Sequence, residues 1–500
     1  MGVVAVVLGQ LLFSLQPEQE LLRFGIPLPD QHLAAGLRVA RGRGSLQWRR
    51  LQARPDPHTG RTWVELCVRV PGARRGGPLL HVYAGGVGAV DPERGDVVRR
   101  TVEDRLAADG RVHEEVWRWC SGQLDRSCTT EFAARTDLGD GEAFLAGESL
   151  SSGGVPDRFL AAGIAPRTWR RVGLLPRGGT LAADLRQRLL RTATRLHEEQ
   201  TRRGSGDYRR SKGVVTNLEF DTTLALARLG MATGDRVLLA RAWRAARHSV
   251  DIDLDPNTGL HHRHGLDHHS GPADPGHTWL SGVLLVGCLA AEERWIAAAQ
   301  RIARGLARHP PGGQGRDDRV RDVGWPLLEM ETWLRFADDR EVAAACAGLV
   351  GRLLRRWDDA NGVFRFGEGI RSRSPVYEEP LWVTAGCLVP GLRAYELRTR
   401  DRRVAEVLAV LQRRVRQLVL NGKPGLPLRC WLRAGQIVGQ ARVGGTPSGY
   451  LLLEGLAPRD LSRCLRRGPV RSALGDVPGE DDVDLPTSFT MAARCWWIYR

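Results

Sequence analysis

The chain has 500 residues, 42% of them hydrophobic and 26% charged, which excludes a fibrous or disordered protein and gives room for two or three buried cores. Its formal charge of +16 would suggest nucleic acid, but of 73 Lys and Arg residues only Lys212 and Lys423 are lysine. The arginines are scattered ("WRRLQAR", "RTRDRR", "RCLRRG") without a basic tail or interleaved aromatics, so nucleic acid is not the expected partner, and a polyanionic sugar would also suit a basic cleft.

The chain opens "MGVVAVVLGQLLFSLQPEQE", with an apolar run from Val3 to Leu12. It has no basic n-region and no small-x-small cleavage site, and it is too short to span a bilayer. A buried strand is expected, and a cytoplasmic protein over a secreted one, with no membrane association. Residues 1 to about 175 read as β-rich: "QLLFSL", "TWVELCVRV" and "LHVYAG" are short apolar or alternating runs between Gly, Pro and Asp turns. The one weak helical signal there lies around 101–108.

After "LLPRGG" the period changes. Leu181, Leu185, Leu189, Ala193 and Leu196 recur at three- and four-residue steps, one apolar helical face. Four later segments then repeat an acid–Arg pair before an Ala-rich amphipathic stretch: Asp235–Arg236, Glu293–Arg294, Asp339–Arg340 and Asp401–Arg402. An acid there suits the positive end of the helix it precedes. Each pair follows another helix, expected around 218–229, 277–290, 324–337 and 380–397. Helical hairpins at this period stack into a solenoid or close into a ring, and about a dozen candidate helices over 179–500 favour a closed (α/α)6 toroid. The fold class is therefore α+β multidomain: β domains at 1–75 and 76–178, then an (α/α)6 toroid of helical hairpins at 179–500. Several of the nine cysteines sit in helical runs such as "LVGCLAA" and "AAACAGL", the pattern of small buried hydrophobes; none forms C-x-x-C.

The segments leading into the first helix of each repeat concentrate the chain's scarce residue types. "GDYRRSKGVVTNLEFD" (206–221) holds Tyr208, Lys212, Asn217, Glu219 and Asp221. "HHRHGLDHHSGPADPGHTW" (261–279) carries six of thirteen histidines, "RDVGWPLLE" includes Trp325, and "SRSPVYEEPLWV" includes Tyr377, Glu378 and Glu379. Converging at one mouth of a ring, these segments would form a pocket; taken singly, Trp279, Trp325 and Trp382 equally suit core positions.

"LLRFGIPLPDQHLAAGLRV" (21–39), "NLEFDTTLALARLGMATGD" (217–235), "RHSVDID" (247–253) and "GHTWLSGVLL" (276–285) resemble the exo-acting rhamnogalacturonan lyase-like family. The resemblance implies a RIFT barrel, a central β-sandwich and an (α/α)6 toroid acting on pectin by β-elimination. Two departures stand beside it. The W-P-D-G-S-like turn is replaced by "ARPDPHTGRTWVEL", and the stretch from about 75 to 180 is short for a sandwich. A non-catalytic, carbohydrate-binding descendant therefore stays open.

Elimination from a uronic acid needs three things: a group that neutralises the carboxylate, a base for the C5 proton, and an acid for the leaving O4. Arg263 and Lys212 are candidates for the first, and His264, His268, His277 and Tyr208 for the others. His277 leads because it opens an inner helix, where backbone amides would face the cleft. Asn217, Glu219, Asp221, Trp279, Trp325, Tyr377 and Glu378 are the expected sugar-binding residues, with binding preferred over capping for the acids. Glu219, Asp221, Glu378 and Glu379 also keep a glycoside hydrolase open as the alternative. No metal or other cofactor is expected. The glycines and prolines of 261–279 make that stretch a loop without cysteine ligands. Asp251, Asp253 and Asp255 lack the glycine and the final acid of a calcium loop and read as a solvated turn.

Overall fold

The computed structural model describes residues 10–15, 21–35, 37–41, 44–45, 48–56, 61–69, 80–84, 97–107, 110–120, 128–137, 187, 189–194, 208–209, 215–216, 221–262, 272–290, 293–310, 320–365, 376–420, 426–443 and 452. The fold is α+β: helical hairpins with several small sheets.

Among the described residues, seven strands make the first β unit: β1 (Gln10–Leu15), β2 (Leu21–Pro29), β3 (Leu37–Arg41), β4 (Gly44–Ser45), β5 (Trp48–Asp56), β6 (Arg61–Arg69) and β7 (Leu80–Ala84). They form sheets of order β1-β7-β3-β4 and β2-β6-β5. Pro27 and Pro29 donate no ladder hydrogen bond and are tolerated because β2 lies at a sheet edge. A short helix, α1 (Asp30–Ala34), follows β2. Because β7 pairs with both β1 and β3, the unit continues past the boundary drawn at residue 75. A meander of β8 (Val97–Ala107), β9 (Gly110–Cys120) and β10 (Cys128–Asp137) follows. The faint helical signal near 101–108 thus gives way to a strand, since pairing along β9 satisfies every second backbone group and β-branched Val97, Val98, Thr101 and Val102 favour it.

Among the described residues, four helical hairpins follow in chain order. They are α2 (Thr222–Thr233) with α3 (Arg236–His248), α4 (Ser281–Ala290) with α5 (Glu293–Arg308), and α6 (Val320–Leu334) with α7 (Arg340–Arg356). In the fourth, α8 spans 381–399 and pairs with α9 (Arg402–Leu420). The repeated acids do what the helix dipole asks. Asp235 accepts from the amides of Val237 and Leu238, Asp339 from Val342, and Asp401 from Arg403 and Val404. Each such cap contributes about 1 kcal/mol. The first helices of the hairpins, α2, α4, α6 and α8, neighbour one another in sequence order, whereas the arginine-rich faces of α7 and α9 point outward. Helix α4 is buried along its length, as an all-apolar helix must be. Glycine permits the close approach: a Cβ on Gly282 would strike the Leu224 amide, and one on Gly324 would lie 2.8 Å from the Leu388 amide. Strand β2, carrying "FGIPLP", lies against α4 and ties the β unit to the helices.

Ion pairs cross between hairpins. Asp251 pairs with Arg247 and with Arg294 of the next hairpin, and Asp253 lies 3.4 Å from His248. These two acids are therefore buried or half-buried anchors and not the solvated turn expected. Arg398 forks onto Glu331 (2.6 and 2.9 Å), joining the third and fourth hairpins. Hydrogen bonding to Glu331 holds the Arg398 guanidinium above its ordinary pKa. Cys288, Cys346, Cys387 and Cys430 are buried. Burial pushes the Cys346 and Cys430 thiols up, as for inert core cysteines. Among the described residues no helix is long and apolar enough to cross a membrane. Residues 189–194 are helical with Leu189 and Ala193 buried; Leu181, Leu185 and Leu196 of the expected face, and the further helices expected for a six-hairpin ring, lie outside the described residues.

Candidate active site

The approach to α4 carries a dense polar arrangement. After α3 the chain passes through a π-turn (Ser249–Asp253) and an Asx turn at Asp255, whose carboxylate accepts from the Asn257 amide (3.0 Å) and the Thr258 hydroxyl (2.7 Å). The Asn257 amide first, then the Thr258 hydroxyl, holds the Asp255 carboxyl below its ordinary pKa. The chain then reaches His261. At the other end of the histidine-rich stretch, "DPGH" forms one 3-10 turn (Pro275–His277) capped by Asp274. Proline supplies the helical φ and glycine the room, while one Asp274 oxygen accepts from the Gly276 amide (2.8 Å). The other Asp274 oxygen lies 3.1 Å from His277 Nδ1. A carboxylate only accepts, so Nδ1 carries a proton and the neutral ring has its lone pair on Nε2. This is the orientation of a general base held by an acidic partner. A Cβ on Gly276 would lie 2.5 Å from Asp322 Oδ1, so the first turn of α6 closes over this turn and puts a second carboxylate beside it.

His261 is built differently. It is fully buried; the Trp279 amide donates to its Nδ1 (3.2 Å), which leaves the Nε2 proton directed at Ser249 Oγ (2.9 Å). Ser249 therefore faces a donor and not a base, so this Ser–His pair cannot generate a nucleophile. What the pair does is position. The His261 amide donates to Thr278 Oγ1 (3.0 Å), Thr278 Oγ1 donates to the Asp274 carbonyl (2.9 Å), and the Asp274 amide donates to the His261 carbonyl (2.9 Å). The buried histidine thereby fixes the backbone of the acid that orients His277.

The amides at the start of α4 do not serve His277. Glu329 of α6, wholly buried, accepts from the amides of Leu280 (2.9 Å) and Ser281 (2.7 Å) and from the Ser281 hydroxyl, and Asp221 accepts from the Gly282 amide (2.9 Å). Two carboxylates from flanking helices thus complement this dipole, and the expected helix-dipole assistance to His277 is corrected. Asp221 is corrected with it: its second oxygen caps α2 at Leu224 (2.9 Å), its backbone sits at φ 59°, and it is buried, so it is a structural cap and not a sugar ligand. Trp279 and Trp325 are each about 2% exposed and meet edge to face with centroids 4.8 Å apart. They are core residues, without the open face that sugar stacking requires.

Just before α8, Tyr377, Glu378 and Glu379 belong to a strand, β11 (Val376–Glu379). Tyr377 is half-buried with the Arg365 guanidinium over its ring, and Glu378 is exposed and pairs with Arg429 at 2.6 Å. Glu379 is buried against Arg414, which also donates to the Gly362 carbonyl (2.7 Å). Burial raises the Glu379 carboxyl against the pull of Arg414. Tyr208 lies in a two-residue strand whose backbone pairs with Thr216. Lys212, Asn217, Glu219, Arg263, His264 and His268 lie outside the described residues. Among the described residues no group of three or more His, Cys, Asp or Glu side chains is arranged to hold a metal ion. Of the four approach segments, the structure brings the second and third together at Gly276 and Asp322.

Sequence reasoning missed Asp274, Asp322 and Glu329. Asp274 had a local signal, an acid three residues before a histidine across Pro-Gly. Glu329 and Glu331 had a weaker one, acids inside the otherwise apolar run "WPLLEMETWL". Nothing local marks Asp322.

No protein-family model matches the chain, and no curated protein is significantly similar to it. Among solved structures it is similar to the cellobiose 2-epimerase from Bacillus thermoamylovorans B4167, with 10% identity and a TM-score of 0.36 over 52% of this chain and 73% of that one.

Proposed function

We propose that this chain is a carbohydrate-active enzyme of lyase type, cleaving an acidic, pectin-like oligosaccharide by β-elimination at the end of an (α/α)6 ring where the inner helices begin. The observation that carries the reading is the Asp274–His277 pair, an imidazole held with its lone pair on Nε2 by an aspartate whose backbone is fixed through His261 and Thr278. In this mechanism His277 Nε2 removes the C5 proton of the uronate, and the Asp274 charge stabilises the imidazolium that forms. The C5–H pair becomes the C4=C5 double bond as the C4–O4 bond breaks. The departing oxygen takes a proton from an acid, for which Tyr208, His264 and His268 remain the candidates. Arg263 and Lys212 are the candidates to neutralise the sugar carboxylate, without which C5 is too weakly acidic.

The hydrolase alternative needs two opposed carboxylates across a sugar, and Asp221 and Glu379 are committed to a helix cap and to Arg414. The test is to incubate the chain with polygalacturonate and rhamnogalacturonan oligosaccharides and to follow absorbance of the conjugated double bond. An absorbing product that His277→Ala no longer forms is expected. New reducing ends without absorbance would replace the reading with hydrolysis, and no turnover by the wild type would replace it with a binding protein.

A further inference from the structure

One strand before the fourth hairpin, β11, and two after it, β12 (Leu426–Arg433) and β13 (Gln436–Val443), make a three-stranded antiparallel sheet. A two-residue turn at Ala434 and Gly435, both at positive φ, joins β12 to β13. One face is core: Cys430 and Leu432 are fully buried, and β12 meets the first turn of α8. By the two-residue alternation of a strand, Arg429, Trp431 and Arg433 point the other way. Trp431 sits in the central strand, paired with Glu378 on one side and Gly439 on the other. Gly439 is what lets the indole lie flat: a Cβ there would come within 3.2 Å of the ring. Around it, Arg429 is 56% and Glu378 44% exposed, Val438 is 52% exposed, and Arg433 is exposed. Arg429 is engaged by Glu378, whereas Arg433 has no acidic partner among the described residues.

A partly exposed indole on a glycine floor, flanked by one engaged and one available guanidinium, matches a sugar ring that carries a carboxylate. The apolar C–H face of a pyranose stacks on the indole, and the fork of an arginine takes the carboxylate in two hydrogen bonds. The sheet's first strand runs through Pro380 directly into α8, so the sheet stands at the start of that helix. We propose that the outer face of this sheet, centred on Trp431 with Arg433 as the carboxylate partner, is a second binding site for a uronic-acid-containing saccharide chain and holds the part of the chain that extends beyond the cleft. The proposal rests on the functional reading for its occupant but not for its geometry.

The test is retention of the full chain on immobilised polygalacturonate at fixed ionic strength, with immobilised dextran as the neutral control. Wild type should be retained by the polyuronate alone. Trp431→Ala leaves the net charge unchanged and should weaken retention about tenfold, an effect that plain attraction of a basic protein to a polyanion would not give. Arg433→Gln, at an exposed position, should weaken it by about threefold and guards against misfolding of the tryptophan variant. Both variants should keep wild-type turnover on a short oligosaccharide that fills only the cleft. His277→Ala should bind as wild type and turn over nothing. Retention of Trp431→Ala and Arg433→Gln equal to wild type, or equal retention on dextran, overturns the sheet site. Persistent turnover by His277→Ala overturns the catalytic reading and leaves the retention result to decide this one.

Discussion

The two ends of the histidine-rich stretch use one side chain in opposite ways. His261 is fully buried, accepts from the Trp279 amide and donates toward Ser249, so both ring nitrogens serve the fold. Sixteen residues on, His277 takes its orientation from a carboxylate and keeps the tautomer a base requires. A histidine's role is set by which partner holds Nδ1, a backbone amide or an acid, and not by residue type or by the crowding of histidines along the chain.

That contrast makes ordered predictions. Replacing Asp274 with Asn removes the charge that orients and stabilises His277, and turnover should fall about 10- to 100-fold with the melting temperature nearly unchanged. Steady-state rates on an acidic oligosaccharide beside a thermal melt check it; a large loss of stability would mean that Asp274 is chiefly a turn residue. His261→Ala should reverse the pattern. It strands the buried Trp279 amide and Ser249 hydroxyl, at about 1–3 kcal/mol for each group left unsatisfied, so denaturant unfolding should move well before turnover does.

The smallest effect concerns pH at the start of the stretch. The folded-state pKa of Asp255 is lowered, so its contribution to stability is fully present above about pH 4 and is lost as the pH falls through the folded value. Asp255→Asn should flatten the acid limb of the stability curve below about pH 4 and leave neutral pH almost untouched. An unchanged acid limb would assign that loss to other carboxylates.

Much of the framework was legible because it is local. The acid–Arg pairs at Asp235, Asp339 and Asp401 mark helix starts by capping chemistry that acts over three residues, and the 3.6-residue period marks the faces they bury. At the candidate site His277 was singled out in the sequence but the Asp274 that orients it was not, although Asp-Pro-Gly-His carries an equally short signal. Asp221 looked like a ligand because its partner, the Gly282 amide, lies 61 residues away, and Glu329 reaches α4 across 48 and 49 residues. Trp279 and Trp325 were ambiguous for the same reason, since each is the other's neighbour only after two hairpins pack. The meander at 97–137 shows the converse, a weak helical period overridden by strand pairing.

The most direct test of this account is the initial rate at which His277→Ala forms ultraviolet-absorbing product from an acidic oligosaccharide, measured against wild type at matched folding. The account predicts a fall of about 10²- to 10⁴-fold, the usual worth of a positioned proton-transfer group. A rate within about twofold of wild type would contradict it, since so small a change lies far below what losing such a group costs.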